Sequence, residues 1–192
     1  MAEQSPSPAL SDSVTPAQFF EQLMPMGFAV QREAQGPTPD VTLQYHVTGE
    51  GGGDWTVRIA AGEMTVATGT APAAVTTTIG IADWRDCVLE RNGATLALLV
   101  PQGRQGRPEN AARLQALKGT LALELSRDEM EPLRLEVSFN DAATPRTTMK
   151  MKLKDYVDMQ TGKLNGQEAF MTGRLRVEGD LPFLMQIAAF TQ

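Results

Sequence analysis

Alternation of apolar and polar positions dominates this chain. Val41, Leu43, Tyr45 and Val47 interleave with Thr42, Gln44, His46 and Thr48. Trp55, Val57 and Ile59 interleave with Thr56 and Arg58, and Met64 and Val66 follow beyond Gly62, which marks a tight hairpin. A period of two puts one strand face on a core and the other in water. Val75, Thr77, Ile79 and Ile81 give a further strand. Three more run through Leu121/Leu123/Leu125, Leu133/Leu135/Val137/Phe139 and Met149/Met151/Leu153. Leu175 and Val177, set between Arg174, Arg176 and Glu178, supply the last. The pattern predicts an α/β (α+β) fold: a mixed, mostly antiparallel sheet of at least five strands, covered on one face by helices.

Helical segments separate these strands. Thr15 and Pro16 form a start signal ahead of Phe19, Phe20, Leu23 and Met24, and Pro25 predicts a stop. Asp83 opens a helix that runs to about Asn92, with Trp84, Cys87, Val88 and Arg91 on one face and Gly93 as its end. Ala94 to Val100 reads as a short strand, and Pro101 to Lys118 as a Gly- and Arg-bearing loop followed by a short helix. Asp155 opens another helix through Tyr156, Val157 and Met159, and a short one follows around Ala169 to Met171.

The terminal helix differs from the rest. Asp180 can cap it and Pro182 suits its first turn. Leu181, Phe183, Leu184, Met185, Ile187, Ala188, Ala189 and Phe190 leave Gln186 as the only polar residue between Pro182 and Thr191. An amphipathic surface helix has a polar face and this one does not. It is therefore buried on all sides, or has one face on the core and another on an apolar space. It is far too short to cross a bilayer.

Residues 1–14, rich in Ser, Pro and Ala, read as a disordered tail, and residues 15–192 as a single domain. Within the domain, TTTIGIADW (76–84) and TTMKMKLKDY (147–156) are both strands that pass through Asp into an aromatic residue opening a helix. This echo raises a divergent internal duplication of 28–95 and 119–192.

Charge and chemistry narrow the function. A net charge of −6 argues against nucleic acid or an anionic membrane surface as the main partner. The single cysteine, Cys87, excludes an internal disulfide, and with no apolar leader a cytoplasmic protein is expected. His46, the only histidine, sits on the wet side of its strand, and Cys87 shares the apolar face of its helix. Neither makes a catalytic centre. No nucleophile elbow, phosphate loop, metal-ligand cluster or paired carboxylates stand out, so no catalytic residue, metal or cofactor is nominated and a non-enzyme is expected. Arg104, Arg107, Arg113 and Lys118 form a local basic patch, read as a solvated loop or as a seat for an anionic headgroup or acidic partner. Lys150, Lys152 and Lys154 read as the wet face of an exposed strand, where lysines oppose edge pairing. Met149, Met151, Met159, Met171 and Met185 gather near Phe170, Phe183 and Phe190; methionine adapts to irregular shapes.

From Thr147 the order is strand, DYVDMQTGKLNGQEAF, then MTGRLRVEGDLPFLMQI. This resembles the sterol carrier protein 2 family of lipid-binding domains. Thr161, Gly162, Lys163, Asn165, Gln167, Ala169, Phe170, Gly173, Leu175 and Gly179 fall on the family's C-terminal signature. The resemblance implies an α/β fold whose helices enclose an apolar tunnel holding lipid. Here the tunnel-lining candidates are Trp84, Val88, Met149, Met151, Phe170, Met171, Phe183, Leu184 and Ile187. The expected partner is a lipid or other hydrophobic small molecule, with transient membrane contact. Its identity stays open among sterol, fatty acid, acyl-CoA, phospholipid and quinone precursor. The alternative is an interaction module whose terminal helix docks on a partner or a second copy.

Overall fold

A capping box starts the described chain's first helix: the Thr15 hydroxyl accepts from the Gln18 amide, and the Gln18 side chain accepts from the Thr15 amide. The computed structural model describes residues 11–35, 40–99 and 113–189. The helix has three consecutive pieces, α-helical Pro16–Gln18, π-helical Phe19–Leu23 and α-helical Met24–Gln35, together α1. Pro25 does not stop it. The wide π-turn immediately before the proline relieves the clash its ring would make with a preceding carbonyl, and the helix runs on. Of the expected tail, residues 1–10 lie outside the described residues, while Val14 is buried in the core.

Eight strands form one sheet: β1 Val41–Thr48, β2 Gly53–Ala60, β3 Glu63–Thr68, β4 Val75–Gly80, β5 Gly119–Arg127, β6 Met130–Phe139, β7 Arg146–Lys152 and β8 Arg176–Gly179. Their order is β3-β2-β1-β4-β6-β5-β7-β8. The β1/β4 and β5/β7 pairs are parallel and the others antiparallel, as the alternating patterns predicted. Ala61 and Gly62, both at positive φ, make the two-residue hairpin between β2 and β3.

Among the described residues the other helices are α2 Ile81–Val88, α3 Leu153–Gln160, α4 Gly166–Met171 and α5 Leu181–Ala188, and residues 113–116 are helical as well. Two of the boundaries differ from expectation. The helix after β4 begins at Ile81 and ends at Val88, because Glu90, Asn92 and Gly93 all adopt positive φ and break its hydrogen-bond ladder. Ala94 to Leu99 is not a strand. Its centre, Leu96–Leu98, is a 3₁₀ turn, and the Leu99 carbonyl accepts from the Tyr45 hydroxyl at 3.1 Å rather than from a sheet neighbour.

The strand order repeats. In chain direction, β2-β1-β4 and β6-β5-β7 are the same arrangement: a hairpin partner, a first strand and a parallel third strand. Registers correspond as well. Val47 lies opposite both Gly53 and Ile79, and Leu125 lies opposite both Leu133 and Met151. Each third strand passes directly into an eight-residue helix, α2 or α3, and each helix carries two aspartates three residues apart, Asp83/Asp86 and Asp155/Asp158.

One sheet face carries the core. Tyr45, Trp55, Val57, Ile79, Leu123, Leu125, Leu133, Leu135, Met149 and Met151 are buried on it, joined by Phe19 and Phe20 of α1 and Trp84 and Cys87 of α2. Phe20 stacks on Trp55 with ring centroids 4.9 Å apart, and Phe19 meets Trp84 edge-on at 5.8 Å. Burial pushes the Cys87 thiol up to about 12, helped by the charges of Asp83 and Asp86. The neutral thiol favours the fold at ordinary pH, and that contribution fades as pH rises from about 9 toward 12. At pH 8, an aromatic disulfide reagent is expected to label Cys87 only at the rate of unfolding. Stoichiometric labelling of the native protein within seconds would contradict this burial.

Candidate functional site

The apolar terminal helix is fixed at its start. Asp180 caps α5 by accepting from the Phe183 amide at 2.7 Å. Just before it, Gly179 has φ +106°, and a Cβ there would lie 2.2 Å from the Arg146 carbonyl oxygen. Only glycine lets the chain turn this tightly off β8. The Thr147 hydroxyl donates to the Asp180 carbonyl at 2.6 Å, and the Asp180 amide donates to the Arg146 carbonyl at 3.2 Å. These bonds tie the first turn of α5 to the start of β7.

From that anchor the helix splits into two faces, both apolar. Phe183 is buried, with its ring edge-on to Phe139 at 6.2 Å and pressed on Gly119, where an added Cβ would lie 2.8 Å from the ring. Leu184 and Ile187 are half-buried against the core. Leu181 and Met185 face outward at 49% and 74% exposure. Phe190 lies outside the described residues.

The other lining candidates divide in the same way. Met149 and Met151 are buried on β7 facing the helices, and Trp84 and Val88 are buried on α2, within the same core as Phe183. Phe170 and Met171 stand out at 52% and 77% exposure at the end of α4. Trp84, Val88, Met149, Met151, Phe183, Leu184 and Ile187 thus belong to one core that runs along the sheet, with Trp84 packed on Phe19 at its α1 end and Phe183 on Phe139, while Phe170 and Met171 lie outside it. Trp84 Nε1 is buried with no hydrogen-bond acceptor among the described residues. A buried donor left unpaired is costly, and a polar atom entering the core beside it would satisfy it.

Polar chemistry is sparse around this apolar set. Among the described residues no group of three His, Cys, Asp or Glu side chains could hold a metal. His46 Nδ1 lies 2.5 Å from Asp54 Oδ1 of the paired strand, on the sheet face away from the helices. Arg104 and Arg107 lie outside the described residues, and Arg113 and Lys118 are exposed. The lysine row does not guard an edge, because β7 is paired on both sides, by β5 and β8. Lys150 bonds Glu178 at 2.9 Å and Lys154 bonds Asp158 at 2.6 Å. The Lys154 bond holds the Asp158 carboxyl below its usual range.

Sequence reading missed one residue that organises the middle of the fold. Arg127, at the end of β5, reaches α2 and bonds Asp83 at 2.9 Å and Asp86 at 2.6 Å, with its side chain only 7% exposed. The Asp83 carboxylate also accepts from the Arg134 amide at 3.1 Å. The available signal was the repeated spacing of two aspartates on α2 and α3, which asks for a cation.

The SCP-2 sterol transfer family matches residues 101–192. Over 48 residues the chain is 38% identical to peroxisomal multifunctional enzyme A of Dictyostelium discoideum, which covers 25% of this chain and 11% of that protein's length. Among solved structures, sterol carrier protein domain 2 of Helicoverpa armigera is similar over 50% of this chain and 82% of its own, at 19% identity and a TM-score of 0.40. The stereoselective inverting sec-alkylsulfatase of Pseudomonas sp. is similar over 93% of this chain but 16% of its own, at 13% identity and a TM-score of 0.22. These two structural likenesses bear on neither ligand nor activity.

Proposed function

With residues 101–192 matching the SCP-2 sterol transfer family, we propose that this protein binds a hydrophobic ligand non-catalytically and passes it on. That match is the observation that carries the reading. The apolar set around α5 supports it: Met149, Met151, Phe183, Leu184 and Ile187 offer an apolar surface in which the methionines adapt to irregular shapes. Withdrawing an acyl chain from water gains about 0.8 kcal/mol per CH₂, whether the chain enters a protein or a bilayer. Exchange between the two is close to neutral, so loading and release need transient membrane contact and no reaction. α5 is the gate in this scheme, anchored by its first turn and opening at its far end. The recurring strand order supports one domain built by divergent duplication of 28–95 and 119–192.

The test is titration of the delipidated full chain with an environment-sensitive fatty-acid probe, alongside native mass spectrometry of the protein as purified. Saturable micromolar binding is expected, weakened at least tenfold in Ile187→Glu, whose side chain is only half-buried. Absence of both probe binding and any co-purified lipid would falsify the carrier reading.

A second reading has its own observation. Leu181, Met185, Phe170 and Met171 are exposed apolar side chains on α4 and α5, a surface suited to a partner or a second copy. Light scattering of Met185→Glu against the parent decides it: a dimer that the substitution splits favours docking, and a monomer in both removes the second-copy form of it.

A further inference from the structure

On the sheet face away from the helices, and around the β7 end where α3 begins, lies a groove of about 640 Å³. Five cations line it: Lys150 and Lys152 of β7, Lys154 of α3, and Arg174 and Arg176 at the entry to β8. Two carboxylates, Glu124 and Asp155, line it as well. Lys150 and Lys154 are engaged by Glu178 and Asp158. Arg174 reaches Asp155 only at 3.8 Å, and Lys152 and Arg176 have no ion-pair partner among the described residues. Two cations, Lys152 and Arg176, are therefore unpaired among the described residues, and with Arg174, held only by a long ion pair, they line one opening.

The fold does not require this charge. The first unit has the same strand-to-helix turn, and Thr78, Gly80 and Ala82 stand there where the second has Lys150, Lys152 and Lys154. There the neighbouring aspartates are closed off by the buried Arg127. In the second unit the equivalent end is open. On a chain whose net charge is −6, the groove lining holds five cations to two carboxylates.

We infer that this groove binds a phosphate-bearing anion, either a soluble phosphate ester or a lipid headgroup. A phosphate monoester carries close to two negative charges at neutral pH and several acceptor oxygens, which suits two guanidinium forks and a lysine better than a single carboxylate does. The volume exceeds a bare phosphate and leaves room for the group that carries it. Of the apolar set around α5, Met151 alone also lines this groove, and the inference does not rest on the carrier reading.

The experiment is an amide NMR titration of the full chain in phosphate-free buffer, with sodium pyrophosphate in one arm. The other arm uses phosphatidylcholine vesicles with and without phosphatidic acid, read by co-sedimentation. Pyrophosphate is expected to give saturable shifts at Lys152 to Lys154 and Thr172 to Arg176, with a midpoint that rises with salt. Lys152→Gln with Arg176→Gln, both exposed, should weaken the response at least tenfold. Arg58→Gln with Arg85→Gln, the same charge change elsewhere, should leave it intact. A pyrophosphate response marks a soluble phosphate ligand. Sedimentation only with phosphatidic acid, lost in the groove variant, marks a headgroup. The inference is overturned by no response in either arm, by shifts scattered over the surface, or by equal weakening in both variants. Fatty-acid probe binding should survive in the groove variant, so failure here and failure of the carrier reading can be told apart.

Discussion

Arg127→Met is expected to lower the unfolding free energy by about 3–5 kcal/mol, the usual cost of stranding buried charge by removing its partner. Two carboxylates lose their counter-ion at once, since Asp83 and Asp86 are both bonded to this guanidinium and their side chains are only 17% and 18% exposed. The loss matters because the pair sits at a seam. Arg127 belongs to the second three-strand unit and α2 to the first, and between the units the sheet is joined by the β4/β6 ladder alone. Against a total stability of about 5–15 kcal/mol, such a change is large. Urea unfolding followed by tryptophan fluorescence measures it. Adding Asp83→Asn and Asp86→Asn to Arg127→Met should recover part of the loss, because the stranded charges then disappear. A loss under 1 kcal/mol in the single variant would show that water reaches the cluster and that the ion pairs are superficial.

Phe183→Ala is expected to cost about 3–5 kcal/mol, as aromatic truncation in a core does. Its ring lies over Gly119, which cannot carry a side chain in its place, since Gly119 sits at φ +132° with the Pro145 carbonyl 2.6 Å from where a Cβ would be. With the ring gone, α5 keeps the half-buried Leu184 and Ile187 and the bonds of its first turn. Amides of α5 should then exchange with solvent much faster than those of the sheet, and fatty-acid probe binding should fall with them. Unchanged exchange along α5 would mean that the first-turn bonds hold the helix without the ring. Phe183 would then be a packing residue and not the anchor of a gate.

How much of this was legible in the chain follows from the range of each interaction. Strands announced themselves through alternation, because sheet pleating is local, and the cap at Asp180 and the turn at Gly179 were readable for the same reason. Pro25 misled, since a proline stops an α-helix but not one that widens to a π-turn just before it. The apolar run from Ala94 misled in another way: apolar character does not distinguish a strand from a 3₁₀ turn laid on a core. Arg127 was invisible because its partners lie more than forty positions upstream and meet it only through the strand order. The groove was half visible. Lys150, Lys152 and Lys154 stood out as a row, but Arg174 and Arg176 join them only through the β7/β8 pairing.

The shortest strand has a consequence for the architecture as a whole. The two three-strand units are related by a shift along the sheet and not by a two-fold axis, and such an arrangement has no natural end. A third unit would enter by laying its hairpin strand antiparallel on β7, as β6 lies on β4. β8 already occupies that place, running antiparallel to β7 for four residues before Gly179 turns the chain away. It closes that side of the sheet with a short charged strand, the device by which natural edges resist further pairing.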